Sequence, residues 1–231
     1  MKPSLFLLHG ALGSSAQFAE LKNLLFEKYS VRSFDFIAHG SNCGKAASFS
    51  LEELAEQLLS ELKKVSSPSL VFGYSMGGYV ALLASIQSPE LFSGILTLAT
   101  KFDWTEETVA NELRHLNPEK IKLKVPQFAV QLEKLHGKNW EQLLYQTAAM
   151  MQRLGKKKLL DEIALNKISI PVCLSLGDSD KMVSNQETVW ASSTIRNSKT
   201  NWLESTEHPL EIVSPEKIGS MINSFAGSLT P

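Results

Sequence analysis

The sequence is organised around one short stretch, Gly73-Tyr74-Ser75-Met76-Gly77-Gly78. The apolar run 69–72 before it is typical of a buried strand, and residues 79–84 after it are typical of a helix. A serine on such a strand-to-helix turn is held in a strained conformation and pushed out toward substrate. Gly73 and Gly77 lack a Cβ, so the strand and the helix can approach the turn closely. The pattern therefore indicates that Ser75 is a candidate nucleophile.

Short apolar runs alternate with segments of helical periodicity along most of the chain. The predicted strands are 4–8, 29–34, 69–72, 93–99, 170–176 and 200–203, and helical segments are predicted at 17–28, from 50, at 79–84, 186–195 and from 215. This alternation predicts βαβ units and an α/β fold with a doubly wound, mostly parallel sheet. Ligands of such sheets bind beyond the carboxyl ends of the strands, so the loops after strands are expected to form the site.

Residues 101–167 interrupt the alternation. Asn117-Pro118 predicts the start of a helix, a second helix is expected from Pro126 to about Gly137, and a third from 139 to 154 with Gly155 as its stop. We therefore predict a helical insertion, 101–167, as a cap or lid over a core of 1–100 and 168–231. Its position after a strand places it next to the expected site.

Composition excludes several classes of function. The 231 residues are 43% hydrophobic with a net charge of -1, which predicts a globular domain and no nucleic-acid partner. The apolar run 5–8 is too short for a membrane span and is broken by His9-Gly10, so we expect no signal peptide and no membrane partner. Cys43 and Cys173 have no metal or disulfide spacing. We therefore expect reduced thiols, no metal, no cofactor, a cytoplasmic location and a monomer or homodimer.

A serine nucleophile requires a base, and the base requires an orienting acid. Of the five histidines, only His208 lies between the last predicted strand and the last helix, the position expected of the base in the chain order Ser, acid, His. The acid is expected after the preceding strand. There the sequence offers both Asp178 and Asp180.

Together these motifs resemble those of the α/β-hydrolases, over nearly the whole chain apart from the insertion. The resemblance is carried by His9-Gly10-Ala11, Gly73-x-Ser75-x-Gly77, Gly177-x-x-Asp180-x-x-Val183 and His208. It implies a nucleophile, an acid and a base at Ser75, Asp180 and His208. It also implies an oxyanion hole formed by the backbone N–H groups of Met76 and Ala11, with Leu12 as the alternative to Ala11. The family fold begins with two further strands, so about six strands and a shortened N-terminus are expected here.

Other residues have weaker interpretations. His9 is expected to hold its own loop, Asp35 and the 39–41 loop to be structural, and Lys101 to lie on the surface, although contact with substrate is the alternative. Cys43 is the alternative nucleophile, but no sequence pattern of an accompanying base is found with it. Residues expected to line an apolar pocket, or instead to fix the lid on the core, are Phe102, Trp104, Met150 and Met151. Leu12 is also expected to contact the substrate in this pocket.

The function that the resemblance implies is hydrolysis of small-molecule carboxylic esters of small to medium acyl groups through an acyl-enzyme on Ser75. The same fold and triad also serve C–C bond hydrolases, thioesterases and lyases, and the pocket rather than the triad decides among them. A non-catalytic ligand receptor on the same fold is a further alternative.

Overall fold

A computed structural model describes residues 2–229 of the chain. Within them, six strands form one sheet in the order β2-β1-β3-β4-β5-β6, and all neighbouring strands are parallel. The strands are β1 (Ser4–Leu8), β2 (Ser30–Ser33), β3 (Ser69–Tyr74), β4 (Phe92–Leu98), β5 (Val172–Gly177) and β6 (Ser198–Leu203). The predicted α/β fold with a six-stranded parallel sheet is confirmed.

The helices lie on both faces of this sheet. They are α1 (Ala19–Leu25), α2 (Leu51–Leu62), α3 (Met76–Gln87), α4 (Glu106–Leu113), α5 (Pro118–Lys124), α6 (Pro126–His136), α7 (Trp140–Lys156), α8 (Glu162–Asn166), α9 (Asn185–Thr194) and α10 (Pro215–Gly227). Short 3₁₀ turns occur at Ser15–Phe18, Gly40–Asn42, Pro89–Leu91, Gly137–Asn139 and Leu210–Ile212. Helices α4 to α8 fall within 101–167, and that segment contains no strand.

The two faces of the sheet have separate hydrophobic cores. Alternate residues of β1 point to opposite sides: Phe6 and Leu8 join the core formed with α2 and α3, whereas Leu5 and Leu7 join the core formed with α1 and α10. Strands β1, β3 and β5 are buried along their whole length, while the edge strands β2 and β6 are partly exposed. Burial on both faces explains why the central strands are continuous apolar runs.

Local sequence signals set most helix boundaries. Ser50 caps α2 and exchanges hydrogen bonds with Glu53, and Asn117 accepts a hydrogen bond from the backbone of Lys120 at the start of α5. The predicted stop at Gly155 is wrong, because α7 continues to Lys156. A Cβ at Gly155 would lie 2.8 Å from Val109 Cγ2, so the glycine allows α4 to approach α7.

No helix within residues 2–229 has both the length and the apolar character needed to cross a bilayer.

The close contact between α3 and β1 gives a testable prediction. A Cβ at Gly77 would lie 2.5 Å from the carbonyl oxygen of Leu8, a backbone atom that cannot turn away. Although alanine favours helices over glycine, we expect Gly77→Ala to lower the free energy of unfolding by about 2 kcal/mol or more in urea denaturation. The control is Gly227→Ala, where the added Cβ meets no atom within 4 Å. Equal unfolding midpoints for both variants would contradict this account.

Candidate active site

Ser75 occupies the sharp turn between β3 and α3. Its φ of 49° and ψ of -115° lie in a region that residues with a side chain rarely adopt. The turn is fixed from the neighbouring strand, since Ser75 N donates to Leu98 O at 2.8 Å and Thr100 Oγ1 donates to Ser75 O at 3.0 Å. A Cβ at Gly73 would lie 2.5 Å from the backbone of Gly78, so the turn can close only with glycine there.

Asp180 and His208 are joined by a hydrogen bond between the loops after β5 and β6. His208 Nδ1 lies 2.8 Å from Asp180 Oδ2, and the aspartate side chain is fully buried. The other carboxylate oxygen accepts from the backbone N–H groups of Met182 and Val183, at 2.8 and 2.9 Å. Burial opposes ionisation of Asp180, but these hydrogen bonds and the imidazole together hold its pKa below the usual range. An ionised Asp180 places the imidazole proton on Nδ1 and leaves Nε2 as an acceptor.

Asp178 lies apart from His208. Its side chain is exposed and accepts a hydrogen bond from Ser179 Oγ at 2.9 Å. Of the two aspartates that the sequence offers, the structure brings Asp180 to His208.

The loop after β1 lies beside the Ser75 turn. His9, which is fully buried, holds this loop: Nδ1 donates to Gly10 O at 2.8 Å, and Nε2 accepts from Phe36 N at 3.1 Å. Within residues 2–229, the backbone N–H groups of Ala11 and Met76 have no hydrogen-bond acceptor. The same is true of Leu12 N. These N–H groups are therefore able to bind an anionic oxygen.

A histidine from the insertion also holds this loop, which the sequence did not indicate. His136, at the end of α6, is buried; its Nε2 donates to Leu12 O at 2.8 Å, and its Nδ1 accepts from Gly40 N at 2.8 Å. The ring of His39 lies between those of His9 and His136, with centroid distances of 5.2 and 6.2 Å. The three rings form a buried histidine cluster under the loop after β1.

Burial keeps this cluster neutral. It lowers the pKa of His9 to about 4, the pKa of His39 well below its ordinary value, and the pKa of His136 in the same direction.

Asp35 fixes the adjoining loops by accepting from Ser15 N, Ser15 Oγ and Ser41 N at 2.7–2.8 Å. Burial opposes its ionisation, but these bonds lower its pKa to about 2.

Ser75 and His208 line one cavity of about 300 Å³. Four of the five residues expected to line the pocket lie in its wall, namely Leu12, Trp104, Met150 and Met151. Further apolar wall residues come from the insertion, namely Leu116, Phe128 and Leu154. Within residues 2–229, no hydrogen bond joins Ser75 Oγ to His208.

Two expectations for this pocket need correction. Phe102 does not line the cavity: its ring is buried 6.4 Å from that of Tyr79, and its backbone N–H donates to Glu187 Oε2 at 2.7 Å. Lys101 is not a surface lysine, because its side chain is 14% exposed and lines the cavity wall.

Other candidate groups contribute in different ways. Tyr74 OH donates to His208 O at 2.9 Å and so supports the loop that holds the imidazole. Burial raises the pKa of the Cys43 thiol, the opposite of what an activated nucleophile needs. Within the described part of the chain, no three His, Cys, Asp or Glu side chains form a group able to hold a metal ion.

The buried histidine cluster predicts a loss of stability in mild acid. The unfolded chain binds protons at histidine below about pH 6.5, whereas folded His9 resists protonation down to about pH 4. Stability is therefore complete above pH 6.5 and falls as the pH decreases, by about 3 kcal/mol from His9 alone at pH 4. Urea unfolding at pH 7 and pH 4.5 measures the decrease.

Two variants serve as controls for this measurement. His136→Gln removes one of the buried titrating groups and should reduce the difference between the two pH values. His115→Gln, at an exposed position, should leave the difference unchanged. An unfolding free energy that is the same at both pH values would refute the interpretation.

Comparisons with known proteins agree with this architecture. A family model described as "alpha/beta hydrolase fold" matches residues 3–117. Over 101 residues the chain is 30% identical to the uncharacterized hydrolase YugF of Bacillus subtilis (strain 168). That match covers 43% of this chain, and the chain spans only 37% of the length of YugF.

Solved structures match over nearly the whole chain. A putative lipase (lip1) from Acinetobacter baumannii AYE superposes with a TM-score of 0.81 and 19% identity, covering 99% of this chain and 84% of the lipase. A carboxylesterase from Nitrososphaera gargenis has a TM-score of 0.79 and 15% identity, covering 99% of this chain and 91% of the other. At such identities the likeness shows the fold alone. With the family model and the six-stranded sheet, these findings establish that the chain belongs to the α/β-hydrolase fold family.

Proposed function

We propose that this chain is a serine hydrolase that cleaves carboxylic esters of small to medium acyl groups through an acyl-enzyme on Ser75. The observation that supports the proposal most directly is the 2.8 Å bond between Asp180 and His208, beside the strained turn of Ser75 in one cavity. Nucleophile, base and orienting acid are the three parts that acyl transfer by serine requires.

In the first step, Ser75 Oγ attacks the ester carbonyl carbon while His208 Nε2 takes its proton. Asp180 stabilises the imidazolium that forms, because its buried carboxylate lies on the Nδ1 side of the ring. A hydrogen bond between nucleophile and base is often long in a free site and shortens when substrate binds. The lack of a Ser75–His208 hydrogen bond in the structure is therefore compatible with this step.

The negative charge that develops on the carbonyl oxygen is assigned to the N–H groups of Ala11 and Met76. Donors that are already fixed in place stabilise that charge without reorganisation during the reaction. Met76 is also the first residue of α3, so the positive end of the helix dipole adds to its effect. His9 and His136 fix the loop that carries Ala11.

The tetrahedral intermediate formed by this attack then breaks down to the acyl-enzyme, and the imidazolium of His208 gives its proton to the leaving alcohol. Water activated by the same imidazole attacks the acyl group on Ser75, and the acid is released with the serine regenerated. Each step conserves protons within the Ser75–His208 pair and water, so the reaction requires no cofactor.

The choice of esters is supported by two considerations. The cavity, of about 300 Å³ and mostly apolar, fits acyl groups of modest size. Two proteins with the same fold are described as a putative lipase and a carboxylesterase.

We also propose that 101–167 acts as the lid of this pocket over the core of 1–100 and 168–231, since α7 and the segment before it supply much of the wall. The cytoplasmic location and the monomeric or dimeric state stay predictions.

The first test is hydrolysis of p-nitrophenyl esters of increasing acyl length by the wild-type protein and Ser75→Ala. We expect turnover that peaks at one chain length and falls to the uncatalysed rate in Ser75→Ala, because no other nucleophile replaces the hydroxyl. Circular dichroism should show the variant folded. Substantial activity in Ser75→Ala would refute the assignment of the nucleophile.

The remaining outcomes separate the rival functions. If no ester is cleaved but a fluorophosphonate labels Ser75, the nucleophile is active and thioesters and C–C substrates are tested next. If there is neither turnover nor labelling, a ligand receptor becomes the better hypothesis.

The second test compares Asp180→Asn with the matched variant Asp178→Asn. At position 180 the amide nitrogen would face His208 Nδ1 and force the other imidazole tautomer, so kcat should fall by about 10³–10⁴-fold. Asp178→Asn, two residues away and exposed, should keep activity within about 2-fold. A large loss at position 178 with a small one at 180 would mean that the acid has been misassigned.

A further inference from the structure

An ion pair lies in the wall of the otherwise mostly apolar cavity. Lys101 follows β4, Glu112 lies on α4, and Lys101 Nζ is 3.5 Å from Glu112 Oε1. The two side chains are 14% and 12% exposed, and both line the cavity that contains Ser75. Charged groups are expensive to withdraw from water, so an apolar pocket would not contain them without a compensating role.

The pair keeps unused hydrogen-bonding capacity. Lys101 Nζ donates to Met182 O at 2.7 Å, and its separation from Glu112 is too long for a strong hydrogen bond. Within residues 2–229, neither carboxylate oxygen of Glu112 accepts a hydrogen bond from any other group. The ammonium has three N–H donors. At least one donor of Lys101 and one acceptor of Glu112 thus remain side by side.

A second group in the same wall also lacks a partner. Thr147, on α7, has a fully buried side chain, and its Oγ1 forms no hydrogen bond within the described residues. It too lines the cavity. A buried hydroxyl without a partner costs free energy. Because Oγ1 itself has no exposed surface, the ligand chemistry follows from Lys101 and Glu112 alone.

These groups define the chemistry of the ligand that would satisfy them. An alkyl chain would displace water from Lys101 and Glu112 without forming hydrogen bonds that replace those to water. A carboxylate would be repelled by Glu112, and an ammonium by Lys101. A hydroxyl both donates and accepts, so it can bind the two charged groups together.

We propose that the substrates are hydroxylated esters, whose acyl or alcohol part carries a neutral hydroxyl group that binds between Lys101 and Glu112. This inference rests on the proposed function, because it concerns the same cavity. It assigns substrate selection to Glu112 on α4 and to Lys101 in the loop after β4. Sites that hydrogen-bond a substrate hydroxyl discriminate strongly against analogues that lack it, whereas apolar walls do not.

The pair has a competing structural interpretation, in which it only fastens α4 to the loop of Met182. Both interpretations predict that removing a partner harms the protein. Only substrate recognition predicts that the harm depends on whether the substrate has a hydroxyl. The ratio between two matched substrates is therefore the decisive quantity, because general damage affects both equally.

The experiment measures kcat/KM for matched pairs of esters. On the acyl side the pair is p-nitrophenyl 6-hydroxyhexanoate and p-nitrophenyl heptanoate, and on the alcohol side 6-hydroxyhexyl acetate and heptyl acetate, each extended to longer chains. The p-nitrophenyl monoester of adipic acid is the charged probe. We expect the hydroxylated member of one pair to be preferred by about 10-fold or more, and the adipate to be cleaved more slowly than it.

The variant is Glu112→Leu, which keeps the hydrogen bond of Lys101 to Met182. It should reduce the preference to about 2-fold or less. Glu106→Leu, on the exposed side of the same helix, should keep the wild-type preference. A wild-type protein that prefers the alkyl member of both pairs, or an unchanged ratio in Glu112→Leu, would overturn the inference.

Failure of the proposed function is distinguishable from failure of this inference. The same esters are titrated into Ser75→Ala by calorimetry, which measures binding without turnover. Tighter binding of the hydroxylated member, reduced by adding Glu112→Leu, would support the hydroxyl site even if the wild-type protein cleaves no ester. Equal binding of both members would refute the site even if esters are cleaved.

Discussion

The backbone strain at Ser75 is the constraint on which the rest of the site depends. A residue with a side chain does not adopt a φ of 49° and a ψ of -115° unless its surroundings impose it. Here Leu98 at the end of β4 and Thr100 just after it impose it, and the absence of a Cβ at Gly73 and Gly77 leaves room for the chain to turn. Because the central strands are buried on both faces, the sheet is rigid enough to hold the strain.

A second requirement is to keep the neighbouring loop fixed without placing charge beneath it. Neutral histidines meet this requirement, since each ring offers one donor and one acceptor to buried backbone groups. His9 joins the loop after β1 to the residues after β2, and His136 joins the same loop to the insertion. The insertion is thereby bonded to the backbone of Leu12, so its placement and the geometry of the proposed oxyanion hole are not independent.

The sequence could predict what depends on local pattern. Buried strands, the Ser75 turn and the helix caps are each encoded within about ten residues, and the parallel order of the sheet follows from their alternation. The choice between Asp178 and Asp180 rested on motif spacing, and the structure supplies a physical reason for the second: only Asp180 turns inward to accept from Met182 and Val183.

Contacts between distant segments could not be predicted in this way. His136 meets Leu12 across 124 positions, and Lys101 meets Met182 across 81, so no local pattern records either contact. The prediction for Phe102 is wrong for the same reason: its backbone N–H donates to Glu187, 85 positions away, and Phe102 does not line the cavity.

The core and the segment between β4 and β5 contribute different parts of the cavity. The core holds the proposed catalytic residues through short, local turns, while the segment between β4 and β5 supplies cavity walls that no local sequence pattern predicts. Lys101 belongs to both systems, since it lines the cavity and also binds the loop in which Met182 N donates to Asp180. Occupation of the cavity beside Lys101 would therefore act on the loop that holds the proposed acid. In the proposed mechanism, substrate selection and the alignment of the imidazole would therefore be linked through the Lys101 side chain.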